Sequence, residues 1–159
     1  MRRWLVGGAL IRHGDGLILV GNRRRDNSLE WTPPGGVIDR GEGLLAGLTR
    51  EVLEETGLIV NKWSNRCYTV TVEAPEMGWQ LKVEAWETDQ VSGEVCIADP
   101  DGIVEEVRHS SALDARELLI ASPPWVHLPV GAWLGGDTEP RYRFALRGTD
   151  RATARAERI

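Results

Sequence analysis

The chain has little cysteine, no long apolar run and no excess of positive charge. Its two cysteines, Cys67 and Cys96, are too few for a disulfide framework, and no secretory context calls for one. Both are expected to be buried small residues. No stretch approaches the length that a membrane helix needs. Met1-Arg2-Arg3 before Trp4–Ile11 has the outline of a signal peptide. However, the apolar run is short, no small-residue cleavage site follows, and His13-Gly14-Asp15-Gly16 interrupts it. The net charge of -5 argues against a general nucleic-acid binder. It does not argue against a phosphate substrate, because a metal can supply local positive charge. Repeats and low-complexity segments are also missing. The remainder is ordinary for a globular protein: 159 residues, 42% hydrophobic and 27% charged, enough for one domain with a sizeable core.

One stretch stands out, Gly36 to Leu58, reading GVIDRGEGLLAGLTREVLEETGL. It opens with the glycine-rich turn Pro33-Pro34-Gly35-Gly36 and closes at Gly57. The first is a turn that regular elements are expected not to cross, and the second is a left-handed cap after a helix. At 100° per residue, Leu44, Leu45, Leu48 and Val52 form an apolar stripe. Glu51, Glu54 and Glu55 cluster beside it at i,i+3 and i,i+4 spacing. Such like charges repel by a few tenths of a kcal/mol per pair, and by more where the core half-desolvates them. Most Glu-rich helices simply solvate such a face. Here Arg50 is the only base among the acids, and Glu42 lies just ahead of the helix within reach. No histidine or cysteine set stands nearby, so a hard divalent cation is the ion this donor set suits. Gly47, on the same side one turn earlier, weakens the helix by about 1 kcal/mol but leaves room above the acids.

Gly36, five residues, Glu42, seven residues, then Arg50-Glu51-Val52-Leu53-Glu54-Glu55-Thr56-Gly57-Leu58 resembles the signature box of the Nudix hydrolases, with every fixed position matched. The resemblance implies an α/β fold, an α/β/α sandwich with a mixed central sheet, whose box forms a loop, helix and loop. It implies Mg2+- or Mn2+-dependent hydrolysis of a nucleoside diphosphate linked to another group. It also implies that Glu51, Glu54 and Glu55 hold metal, that Glu42 and the Gly36 carbonyl assist, and that Arg50 fixes the carboxylates. Gly43 and Gly47 depart from the more usual Ser, Thr or Ala. The departure bears on helix stiffness and not on the ligands.

The rest of the chain reads as short elements. Strands are expected at Trp4 to Arg12 and Leu17 to Asn22. Arg23-Arg24-Arg25 then forms either a solvated loop or a phosphate contact. Asn27 and Ser28 mark a loop tip. Trp31 is either a packing residue or a platform for a base. Beyond the helix, strands are expected at Leu58–Val60, Arg66–Glu73, Trp79–Thr88 and, more weakly, Glu94–Ala98, with a hairpin loop over Ala74–Gly78. A turn at Asp99–Gly102 leads to a strand, Ile103–Val107, and a helix, Ala112–Ile120. By the resemblance, an additional carboxylate often stands near this strand as metal ligand, general base or base-reading group. Glu105 and Glu106 are the candidates, against the plainer reading of exposed strand acids. Ser122 to Gly136, rich in proline and anchored by Trp125 and Trp133, reads as an irregular wrap over the core or a homodimer contact. Tyr142–Leu146 is a late strand. The domain is taken as residues 1–146, with 147–159 a charged, frayed tail.

The expected activity is pyrophosphate-bond hydrolysis in a (deoxy)nucleoside triphosphate, including oxidised forms. Alternatives are ADP-ribose or a nucleotide sugar, a dinucleoside polyphosphate, or a silent Nudix domain that senses nucleotides. Proline sixteen residues past the box is a feature of ADP-ribose hydrolases in the family, and Pro75 is offset from that place. We expect a cytoplasmic protein with a small nucleotide as partner, and neither a membrane nor a stable nucleic-acid partner.

Overall fold

The computed structural model describes residues 1–159. Its sheet is built around β1 (Arg2–His13), a long strand with two apolar faces. On one face Gly7, Ala9 and Ile11 meet α1 (Leu44–Thr56), whose Leu48 and Val52 are fully buried. Full burial of side chains this size stabilises by roughly 1.5–3 kcal/mol each. On the other face Leu10 joins the larger core, roofed by α2 (Ala112–Leu119) and α3 (Pro124–Leu134). The period of two along β1 therefore feeds two helical layers, giving the α/β/α sandwich.

The strands are β2 (Gly16–Arg23), β3 (Leu29–Thr32), β4 (Gly35–Val37), β5 (Ile59–Lys62), β6 (Asn65–Ala74), β7 (Trp79–Thr88), β8 (Gln90–Ser92), β9 (Val104–Ser110), β10 (Arg141–Arg147) and β11 (Arg155–Arg158). Nine form one mixed sheet, ordered β11-β10-β6-β7-β1-β2-β3, with β4 on β1 and β9 on β2. β1 runs parallel to β7 and β10 parallel to β6. β5 and β8 pair separately. Because β4 and β2 take successive parts of one edge of β1, the chain opens a gap there over α1.

Several expectations are corrected. Glu94–Ala98 is not a strand; Cys96 and Ala98 donate their N–H groups to the Thr56 and Glu54 carbonyls. The segment thus satisfies carbonyls that the end of α1 leaves open, alongside the left-handed cap at Gly57 (φ 81°). Ser122–Gly136 contains a regular helix, α3, in place of an irregular wrap. Pro124 opens it where no N–H is needed, and Pro129 is accepted inside it. Its apolar residues lie all round, so no amphipathic period announced it. The frayed end is replaced by a hairpin, in which β11 pairs antiparallel with β10 and Asp150 holds the turn through Ala152 and Thr153. No element crosses Pro33-Pro34, but β4 already begins at Gly35, inside the expected turn, beside Gly8. A Cβ at Gly35 would lie 2.0 Å from the Gly7 carbonyl oxygen, so only glycine allows this approach. Of the cysteines, Cys96 is exposed and Cys67 half-buried.

Candidate active site

α1 and the loop before it form one acidic wall. Arg50 holds that wall in place. Its Nε and Nη2 donate to the two carboxylate oxygens of Glu42, each at 2.9 Å, while Nη1 reaches Glu51 at 3.1 Å and Glu54 at 3.3 Å. A planar fork suits this two-pronged grip, and lysine has no equivalent. The Glu42 carboxylate sits in the space over Gly47, where a Cβ would come within 2.6 Å of Oε1. The room expected above the acids is therefore taken by Glu42. Gly36 plays the same part for Glu51, whose carboxyl carbon is 2.8 Å from where a Gly36 Cβ would be.

The acids differ in environment. Glu55 is only 6% exposed and accepts one hydrogen bond, from the Gly35 N–H at 2.9 Å. Burial, less that bond and with repulsion from Glu51, Asp99 and Glu54, pushes its carboxyl up to about 8. Glu51 is also raised, chiefly by burial, and Arg50 offsets only part of this. Glu42 is lowered by its bonds to Arg50. A fully charged wall is thus resisted while no cation is bound.

Opposite α1 stands the turn Asp99–Gly102. Burial pushes Asp99 up, but N–H donors from Val104, Ile103 and Asp101 together outweigh it and hold the carboxyl low. The neighbouring Asp101 is exposed, and its charge bears on Glu51. Asp99 and Asp101 line a cleft of about 400 Å³ with Gly36, Glu51, Glu54 and Glu55. The sequence reading recognised this turn without assigning its acids a role. Two aspartates flanking a Pro-Gly-type turn were the available signal.

The other expected site residues lie elsewhere. Glu105 is outside the cleft lining and pairs with Arg23; Glu106 is likewise outside and pairs with Arg108 at 3.1 Å. Alternation along β9 points Glu105 to the face opposite Val104, whereas Glu106 is drawn to Arg108 beside an irregularity in the β2–β9 pairing. Arg23 stays near the rim, its N–H bonded to the carbonyl of Ile103, a cleft residue. Arg24 is turned to Glu30 and the Ala121 carbonyl. Arg25 is exposed. Trp31 is buried in the large core, with the Arg108 guanidinium 4.6 Å from its ring and Gly21 against its edge. It packs, and it lines neither cavity of the site.

Gly35 and Gly36 also border a second space, on the other side of the β1–β4 strip. This chamber, about 210 Å³, lies between the sheet and α3 and carries no charged side chain. The sequence reading missed it, because its roof is the helix it read as irregular.

The donor set on the acidic wall consists of carboxylate oxygens with the Gly36 carbonyl nearby, which fits a hard ion such as magnesium. As the side chains stand, no three acids converge on one point. Glu51 and Glu54 are held by Arg50, and Glu55 by Gly35, each by bonds that a cation would compete with.

Comparison with known proteins points to one family. A family model described as NUDIX domain matches residues 1–127. The chain is 43% identical over 53 residues to the Xenopus laevis nucleoside diphosphate-linked moiety X motif 6, covering 33% of this chain and 24% of that one. It is 39% identical over 51 residues to the Roseobacter denitrificans RNA pyrophosphohydrolase, covering 32% of each. The match thus spans a third or less of the length of these curated relatives. Among solved structures, the E. coli ORF135 protein superposes with a TM-score of 0.70 at 18% identity, covering 85% of this chain and 91% of that one. A mutator MutT protein from Bacillus halodurans gives 0.69 at 19%, covering 97% of both. At such identities the likeness is one of fold. With the box intact on α1 and the family model spanning most of the chain, the protein belongs to the Nudix hydrolase family.

Proposed function

We propose that the protein hydrolyses the pyrophosphate bond of a (deoxy)nucleoside triphosphate, oxidised forms included, with Mg2+ or Mn2+. The observation that supports this best is the junction at Gly35-Gly36, two residues that border both an acidic cleft and an apolar chamber. This reading requires a diphosphate in the cleft with its attached group passing Gly35-Gly36 to the chamber. Glu51, Glu54 and Glu55, with Glu42 and the Gly36 carbonyl, are the groups to hold a divalent ion. Such an ion, when bound, would neutralise charge at the attacked phosphorus and make water more acidic. The chain's own part is orientation and proton transfer. Arg50 keeps the carboxylates aligned from one side. Asp101, exposed across the cleft near Glu51, is placed to accept a proton from the attacking water. It takes the role first considered for Glu105 and Glu106.

The test is a substrate panel with magnesium: nucleoside triphosphates, their oxidised forms, ADP-ribose, nucleotide sugars and 5′-triphosphorylated RNA. The relatives named as RNA pyrophosphohydrolases are the reason for the last. Free triphosphates are expected to lead in kcat/KM by about tenfold, 1.4 kcal/mol of transition-state preference. The same lead for ADP-ribose or RNA would overturn the substrate choice. No turnover of any panel member would overturn the enzyme reading itself.

A further inference from the structure

The sheet has one face that is only partly covered. On β6 and β10, Tyr68, Val70, Val72, Tyr142 and Phe144 are buried in the core that α2 and α3 roof. Alternation sends Thr69, Thr71, Glu73, Arg141 and Arg143 to the opposite face. Strand register aligns these with Gln80 and Lys82 of β7, and those in turn with Arg3 and Leu5 of β1. On this side α1 packs over the later part of β1, so β6 and β10 stay open. Arg3, Lys82, Arg141 and Arg143 are all exposed.

Charge on the open face is one-sided. The acids that its strands carry are already matched: Glu73 by Arg143 at 3.6 Å, Glu84 by Arg66 at 3.7 Å, and Glu157 of β11 by Arg147 at 2.9 Å. Arg3, Lys82, Arg141 and Arg155 are left without a carboxylate partner. Arg3 and Lys82 also line a shallow recess of about 360 Å³ with Gln80 and Thr71, and no acid borders it. The net charge of -5 therefore averages a cationic face with an acidic remainder. Salt screens that remainder beyond about 8–10 Å, whereas a ligand on the face meets the bases directly.

The other side chains narrow the partner. Exposed aliphatic groups stand at the margins, Leu5 on β1 and Ile159 at the end of the chain. The face thus lacks the apolar centre that anchors a protein partner or enters a lipid surface. Trp86, the ring on this side of β7, is half-buried against the α1 cluster and donates its indole N–H to Glu84 at 3.3 Å. No platform for stacked bases is offered. Guanidinium forks with hydroxyl and amide donors remain, the groups that hold phosphate oxygens without reading sequence. We infer that this face docks a nucleic-acid strand through its phosphodiester backbone, on a surface that shares no lining residue with the acidic cleft.

Fluorescence anisotropy in EDTA tests this with labelled RNA and DNA strands of mixed sequence. Their 5′-hydroxyl ends leave no terminal phosphate for the cleft. Poly-glutamate and vesicles of phosphatidylserine in phosphatidylcholine are the other probes. Both strands are expected to bind at low salt, and the tighter one names the strand that the face meets. The logarithm of affinity should fall with the logarithm of salt with a slope of about -3, each of the four unpaired bases giving about 0.7. Arg3→Gln, Lys82→Gln and Arg141→Gln should each make the slope shallower by about 0.7, and the triple variant by about 2. Arg116→Gln, which removes an exposed base on α2 in the opposite layer, should leave it as it is. Melting temperatures should hold, because every substituted residue is exposed. No binding of either strand at low salt, or a slope that the triple variant leaves unchanged, would overturn the inference. So would poly-glutamate or the vesicles binding as tightly as the strands with the same loss in the triple variant, since the partner would then be an acidic protein or a membrane.

Discussion

Replacing Glu55 by glutamine should make the metal-free protein more stable, and by more as the pH rises. Glu55 is buried against α1 with a single N–H donor, and its carboxyl is pushed from 4.5 up to about 8. The folded state therefore holds a proton that the unfolded chain has released between these values. Stability is fully present below about 4.5 and is lost as the pH climbs through the folded value. A shift of this size corresponds to a loss on the order of 4 kcal/mol across the window. For a chain of this length that is about 10 °C in melting temperature. Glutamine keeps the shape and can still accept from Gly35. In EDTA the parent should melt progressively lower from pH 5 to pH 8.5, while the variant falls much less, its remaining slope coming from Glu51. The two should be close at pH 5. Magnesium at pH 8 should restore much of the parent's stability and little of the variant's, because an ion that binds only the folded state stabilises it. Activity should be lost in the variant. Parallel pH profiles in EDTA would refute the reasoning, since Glu55 would then be ionised or solvated in the fold.

Four further outcomes are expected. Gly47→Ala should gain about 1 kcal/mol of helix propensity, yet it must displace Glu42 from Arg50 and so lower activity. Unchanged turnover with a higher melting temperature would show that Glu42 is dispensable. Asp101→Asn should reduce kcat by about 10²-fold or more, the usual scale of a lost proton acceptor, with little change in melting. Glu105→Gln, which frees Arg23, should change kcat by about threefold at most on the same scale, and the reverse ranking would restore Glu105 to the site. Exhaustive chelation should abolish turnover, and full activity after it would exclude the divalent-ion reading.

The sequence by itself determined α1, its acidic wall and its cap, because these are local: carboxylate spacing follows from 3.6 residues per turn, and Gly57 ends the helix through its own backbone. It likewise determined β6 and β7, whose alternation is visible over ten residues each. What it left open depended on distant partners. β11 carries charged residues with no strand signal, and it exists because β10 offers an unpaired edge. Residues 94–98 look like a strand but bond to the end of α1, whose carbonyls needed donors. α3 is apolar on every side, so its helical period was invisible until the sheet gave it a floor to cover. Glu105 and Asp101 are four residues apart and both exposed. Only the pairing of β9 with β2, and the Asp99 turn before it, decided that Asp101 would face the cleft and Glu105 would meet Arg23.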